Sequence, residues 1–231
     1  VFNNSAYYDA LPMNSFLFII IAVAVGVVLN ALFIEIGHLL GAKMGHYKVT
    51  SWICLGIGWK LGKDGKKHGT IASFDGLTGE TKVVPLDAKK SNPRHIIYMP
   101  LLFLLIEVIG LSAEVAICRA KGDSGNVGSD PRIMAWAVFG IIILAVAGMV
   151  YVYDIFPAPL DAKNDGYLLT ILTNETNKEA YNQILIAEDK MANGLPVGDT
   201  PIYDSVTNFT ARVNDVSLYQ RLSKGDYESA L

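Results

Sequence analysis

Two ionisable side chains lie one helical turn apart at the end of an uncharged apolar segment. Glu35 and His38 occupy positions i and i+3, so on a helix both side chains project from one face. Carboxylates and imidazoles are side chains that proteins use for proton transfer and metal binding. Because an ionisable residue at membrane depth is costly, the pair is a candidate functional site. The alternative is that both side chains extend to the membrane surface and are held there by their neighbours.

A second acidic group follows the last apolar segment of the chain. Asp161 and Asp165 come after Pro157 and Pro159, which interrupt the helical pattern. Irregular backbone at membrane depth is tolerated only where it is buried in protein or lines a wet cavity. The stretch is therefore a candidate partner for Glu35 and His38. The alternative is an ordinary proline-terminated helix with the two aspartates as caps.

Three apolar blocks must position these groups. The chain has 231 residues, of which 52% are hydrophobic and 18% are charged, whereas about 25% charged residues is typical of soluble proteins. Each block has about 20 residues, the length that crosses a hydrocarbon core of ~30 Å. We therefore predict an α-helical integral membrane protein in contact with membrane lipid, with helices over about 15–42, 96–118 and 133–156.

Charge and cysteine content narrow the function classes. The net charge is −3, which gives no reason to expect nucleic acid as a partner. The two cysteines, Cys54 and Cys118, are too few for a disulfide framework and do not form a CxxC metal-binding pair.

Basic residues predict the orientation of the chain. Residues 1–42 contain no Lys or Arg, whereas residues 43–94 contain ten. Because cytoplasmic loops carry the excess of Lys and Arg, residues 43–94 are predicted to be cytoplasmic. The N-terminal lead, residues 1–14, is then extracytoplasmic, and the C-terminus is cytoplasmic.

The segments outside the three blocks have different patterns. Residues 47–90 alternate β-prone runs with glycine turns, which predicts a cytosolic β-hairpin-like insertion at the bilayer surface. Residues 171–231 are predicted to form a small helical module, in which Ala180, Ile184 and Ala187 make one apolar stripe. Such a module packs on a membrane core or docks a partner in a membrane complex.

Two of these segments resemble motifs of the site-2 protease family of intramembrane zinc metalloproteases. That family has a first core helix ending in HExxH, often HExGHxxGA, and a third core helix ending in a proline-rich Asp-Gly motif. The stretch 35–42, EIGHLLGA, matches the first motif after its first position, and the stretch 154–166 resembles the second. The resemblance covers roughly residues 15–170, and it implies a three-helix site-2-protease-like transmembrane core.

The resemblance also implies an activity and a set of site residues. By position, Glu35 is the general base, His38 is a zinc ligand and Asp165 is the ligand from the third helix, with Asp161 as the alternative ligand. The expected substrate is a transmembrane or membrane-proximal peptide, presented along the β-like segment 47–90. Trp52, Trp59, Pro157 and Pro159 are candidate residues of the substrate groove.

The chain departs from the family pattern at its first motif position, where Ile34 stands in place of a histidine. Catalytic zinc normally has three protein ligands, and only two are present here by position. Three explanations are open: an inactive homologue that retains the scaffold for binding, a non-standard ligand, or a sequence altered from an active parent. The candidates for a non-standard ligand are the other histidines, His46, His68 and His95.

Three functions therefore compete. The first is a site-2-protease-like metallopeptidase, and the second is a catalytically inactive homologue that serves as a binding subunit of a membrane complex. The third is a transporter component that uses Glu107 and Glu114, which are seven residues apart and so share one face of the second helix.

Overall fold

The described part of the chain is mostly helical and contains three long apolar helices, as the sequence predicts. A computed structural model describes residues 15–73, 78–123, 131–155 and 165–226. The long helices are α1 (Ser15–Met44), α2 (Arg94–Asp123) and α3 (Pro131–Ile155). Within them, Phe16–Met44, Arg94–Ala120 and Ile133–Ile155 are long and apolar enough to cross a membrane. The N-terminal lead 1–14, Pro157, Pro159 and Asp161 lie outside the described residues.

Glycines allow α1 and α2 to approach closely at the end of α1 that carries Glu35 and His38. A Cβ atom at Gly37 would lie 2.7 Å from the Cα of Pro100, and one at Gly41 would lie 2.2 Å from the carbonyl oxygen of His95. Small residues permit such backbone contact between apolar helices. Helix α1 ends at Met44, just before His46 adopts a left-handed backbone with φ 61°. The chain then turns back towards the helices as a sheet.

The β-prone segment folds into one antiparallel sheet. Its strands are β1 (Tyr47–Cys54), β2 (Ile57–Leu61), β3 (Lys67–Ile71) and β4 (Gly79–Pro85), in the order β3-β2-β1-β4. The β1–β2 turn is formed by Leu55 and Gly56, both with positive φ, as a two-residue hairpin turn requires. Strand β4 pairs with β1 on one side, and no described strand pairs with its other side. The sheet therefore has two edges, β3 and β4.

The C-terminal part of the chain is helical, with α4 (Asp165–Ile171), α5 (Glu175–Ala192) and α6 (Asn208–Ser223). The predicted stripe of α5 is buried, with Ala180, Ile184 and Ala187 at 0%, 6% and 2% exposure. These helices form one apolar core with Ile97 of α2; its other buried members are Leu168, Leu172, Ala180, Ile184, Phe209 and Val213.

A buried amide joins this helical part to the sheet, beside the apolar packing of Leu185 in α5 against Tyr47 and Val83. The Asn182 side chain of α5 accepts a hydrogen bond from the hydroxyl of Tyr47 in β1. It also donates to the carbonyl oxygens of Ala88 and Ser91, both at 2.8 Å. Asn182 is fully buried, so these bonds are shielded from water and fix α5 beside the sheet.

Candidate functional site

The structure brings together Glu35, His38 and Asp165, three of the residues that the sequence identifies. The Nε2 atom of His38 lies 3.0 Å from Oδ2 of Asp165, although 127 residues separate them in sequence. The other ring nitrogen, Nδ1, lies 3.6 Å from Oε2 of Glu35. The imidazole is thus held between two carboxylates, one from its own helix and one from the first residue of α4.

Glycine 166 explains how the Asp165 carboxylate reaches α1. A Cβ atom at Gly166 would lie 1.7 Å from the carbonyl oxygen of Ile155, so only glycine lets the start of α4 pack against the end of α3. The Asp-Gly pair therefore has a structural cause: the glycine makes the approach and the aspartate points at His38.

Threonine hydroxyls hold the Glu35 carboxylate. Thr78 donates to Oε1 at 3.1 Å, and Thr81 of β4 donates to Oε2 at 2.8 Å. Glu35 is only 1% exposed, so these bonds replace water around a buried carboxylate. A Cβ atom at Gly79 would lie 2.0 Å from the carbonyl oxygen of Ile53 and 2.9 Å from Oε1 of Glu35, which explains the glycine between the two threonines. Sequence analysis missed both threonines, for which the only signal was the turn pattern Leu-Thr-Gly.

Ile34 packs as a core residue. Its side chain is 2% exposed and forms an apolar cluster with Ala147 and Tyr151 of α3. Ile34 also lines the cavity that contains Glu35 and His38, but its side chain carries no donor atom.

The site does not fit a three-ligand zinc centre. His38 Nε2 and Asp165 Oδ2 are 3.0 Å apart, close to the roughly 3.4 Å that separates two ligands around tetrahedral zinc. However, no group of three or more His, Cys, Asp or Glu side chains in the described part of the chain is arranged to hold a metal. The described residues therefore supply two adjacent candidate ligands, His38 and Asp165, without a third.

Asp154, in the last turn of α3, is a further acidic residue of the site that sequence analysis did not single out. It lines the same cavity as Glu35, His38 and Asp165. Its carboxylate accepts a hydrogen bond from the backbone N–H of Asp165 and lies within electrostatic reach of His38 and Glu35. Three carboxylates therefore surround one imidazole.

A cavity of about 660 Å³ opens beside these residues. Its walls come from α1, the end of α3, strand β4 and the C-terminal helices. Residues 79–84 of β4 line it, and so do apolar side chains of the C-terminal core, including Leu168, Tyr181 and Phe209. Burial raises the pKa of the Tyr181 hydroxyl well above its usual range, and the carboxylates of Asp165 and Glu188 add to that rise.

The two predicted groove tryptophans lie in the sheet and are not among the described residues that line the cavity. Trp52 in β1 donates a hydrogen bond from Nε1 to the carbonyl oxygen of Glu35 at 3.1 Å, so it links the sheet to α1 at Glu35. Trp59 in β2 stacks under Lys67, whose Nζ lies 4.1 Å from the ring centroid. The remaining groove and ligand candidates, Pro157, Pro159 and Asp161, lie outside the described residues.

The alternative histidines and the transporter glutamates also lie away from this cavity. His46, His68 and His95 are absent from its described lining, and His68 instead contacts Asp64 at 3.0 Å. Glu107 is 5% exposed, and neither of its carboxylate oxygens has a hydrogen-bond partner among the described residues. Glu114 is half-buried near Gly140. The cavity is thus built on Glu35, His38, Asp154 and Asp165.

The chain matches no protein-family model, no curated protein and no solved structure.

Proposed function

We propose that this is an integral membrane protein with a site-2-protease-like core that binds a transmembrane or membrane-proximal peptide without zinc-dependent hydrolysis. In this proposal the N-terminus is outside, and the sheet and C-terminal helices are cytoplasmic, following the charge asymmetry of the sequence. The cavity then lies at the inner face of the membrane, where a peptide leaving the bilayer would meet it.

The observation that carries the proposal is the unpaired edge of β4 along the cavity. An unpaired strand edge presents a row of backbone N–H and C=O groups, which an extended peptide can pair with as an added strand. A cavity of about 660 Å³ is large enough for several residues of such a peptide. The apolar side chains of the C-terminal core that line the cavity supply contacts for alternate side chains.

Two features favour binding over zinc-dependent hydrolysis. Ile34 fills an apolar cluster where a third ligand would be needed. The Glu35 side chain is only 1% exposed, and its two oxygens each accept a hydrogen bond from a threonine hydroxyl, which limits the room for a water molecule beside it. A general base must instead reach the proton that it abstracts.

The experiment is an N-methyl scan of a bound peptide. The full chain is placed in neutral-lipid nanodiscs, and a labelled synthetic peptide with one apolar helix and ten juxtamembrane residues is titrated by fluorescence anisotropy. N-methylation removes one backbone donor at a time. If the peptide adds to β4, methylation at every second residue weakens binding about tenfold or more, and methylation at the intervening residues has little effect. Absence of binding, or losses without this alternation, would overturn the proposal.

A second candidate is a hydrolase, because Glu35, His38 and Asp165 do meet and Asp154 adds a fourth group to the same cavity. The discriminating measurement combines the metal content of the purified protein with cleavage of the same peptide. The binding proposal expects no stoichiometric metal and no cleavage, and it expects Glu35→Gln to retain peptide binding. About one metal per chain, with cleavage lost in Glu35→Gln, would favour the hydrolase.

A further inference from the structure

The charges around the cavity are unbalanced. Its described lining contains six carboxylates and only two Lys or Arg side chains, besides His38; the carboxylates are Glu35, Glu80, Asp154, Asp165, Glu188 and Asp189. Both basic side chains are already paired: Lys82 lies 3.3 Å from Glu80, and Arg212 lies 2.7 Å from Glu188. The cavity therefore has an excess of negative charge.

Two carboxylates carry most of this excess. No described Lys or Arg lies within salt-bridge distance of Asp154, at the end of α3, or of Asp189, on α5. Asp189 accepts only a hydrogen bond from the Asn193 amide at 3.3 Å. Asp154, in α3, and Asp189, in α5, both line the cavity, so a chain bound there has two carboxyl groups within the same space.

We propose that the occupant of the cavity is a basic juxtamembrane segment, whose Lys or Arg side chains pair with Asp154 and Asp189. This inference rests on the proposed function and names its ligand class. Proteins that span membranes carry their excess of Lys and Arg on the cytoplasmic side, close to the ends of their helices. In the proposed orientation the cavity lies at the inner face of the membrane. Its carboxylates can pair with the basic side chains of such a segment, and the backbone of β4 can form hydrogen bonds with the segment's backbone.

The same charges exclude two other occupants. An acidic peptide would place like charges beside Asp154 and Asp189, which is unfavourable in a partly buried site. Anionic lipid headgroups would be repelled for the same reason. Basic side chains gain from the excess charge, and each pair at a partly exposed site is expected to strengthen binding by roughly twofold to fivefold.

The test compares peptides that differ only in charge. Three versions of the labelled peptide share one apolar helix, and their ten juxtamembrane residues contain three Lys, three Gln or three Glu at the same positions. Binding is measured with the full chain in neutral-lipid nanodiscs, so that lipid charge does not attract the basic peptide. We expect the Lys peptide to bind about fourfold to 25-fold more tightly than the Gln peptide, with the Glu peptide weakest. The advantage should shrink as ionic strength rises.

Matched variants locate the effect. Asp189→Asn should lower the affinity for the Lys peptide about threefold and leave the Gln peptide unchanged. Asp215→Asn, at an exposed position of α6 outside the cavity, should change neither. Equal binding of the Lys and Gln peptides would overturn the inference and leave the proposed function standing. Failure of all three peptides to bind would refute the proposed function itself.

Discussion

A histidine at position 34 tests the proposed resemblance to zinc metalloproteases directly. Ile34→His would place imidazoles at positions 34 and 38, the i and i+4 spacing at which both project from one helical face. Together with Asp165, whose Oδ2 is 3.0 Å from His38 Nε2, the variant would have three donors. The contact between His38 and Asp165 has to open by only about 0.4 Å to reach the ligand separation of tetrahedral zinc.

The magnitude follows from the packing of Ile34. Its side chain is 2% exposed against Ala147 and Tyr151, so an imidazole there loses apolar packing and buries an unpaired polar group. Together these effects are expected to cost about 2–4 kcal/mol without metal. Zinc at a thousandfold excess over its dissociation constant would stabilise the folded variant by about 4 kcal/mol, enough to offset the loss.

The assay is thermal unfolding in nanodiscs with and without zinc, together with metal content. Ile34→Gln is the matched control, because it carries a similar polar cost without an imidazole. We expect both variants to unfold at a lower temperature than the parent chain, and zinc to recover only Ile34→His. An equal response of the two variants to zinc, or no bound metal in Ile34→His, would refute the inferred geometry.

Three further perturbations follow from individual contacts. Thr81→Val removes the hydroxyl that donates to Glu35 at 2.8 Å and should lower the free energy of unfolding by about 1–3 kcal/mol. Thr81→Ser keeps a hydroxyl and should restore the stability, and equal stability of the two variants would contradict the contribution of this hydrogen bond. Asn182→Ala removes the buried amide that joins α5 to the sheet, so amide hydrogen exchange should accelerate in α5 but not in α1. The control is Asn193→Ala, at an exposed position, and exchange in α5 that is unchanged in both variants would count against the amide as a link. Burial, with a smaller effect of the Glu35 charge, raises the pKa of the Cys54 thiol from 9.0 to about 11. Its alkylation rate should therefore keep rising through pH 10, and a rate that levels off near pH 9, measured in Cys118→Ser, would contradict the shift. Above pH 9 this thiol loses its proton in the unfolded chain but not in the folded one, so the free energy of unfolding should fall as pH rises.

The three long helices could be predicted from the sequence because an apolar run of about 20 residues with few charges is typical of a helix that crosses a membrane. The proximity of Glu35 and His38 to Asp165 could also be predicted, because the stretches 35–42 and 154–166 each resemble a motif of one family. The absence of a donor at Ile34 could be seen in the sequence, but its packing against Ala147 and Tyr151 required coordinates.

The rest of the site depends on contacts without a local sequence signal. Thr78 and Thr81 reach Glu35 across 43 and 46 residues, and no period in the sequence marks such pairs. Asp154 was visible in the proline-rich motif, but its place in the cavity follows from the close packing at Gly166. The position of α5 as a cavity wall is fixed in part by the buried amide of Asn182, which a helical pattern alone cannot identify.

The most direct test of the account is a photo-crosslink from each edge of the sheet to the Lys-containing peptide. A photoreactive residue replaces Val84 in β4, which lines the cavity, or Ile71 in β3, which is 87% exposed at the opposite edge. The account predicts that position 84 captures the peptide and that position 71 does not. Capture at position 71 alone, or at neither position while the peptide is bound, would contradict it.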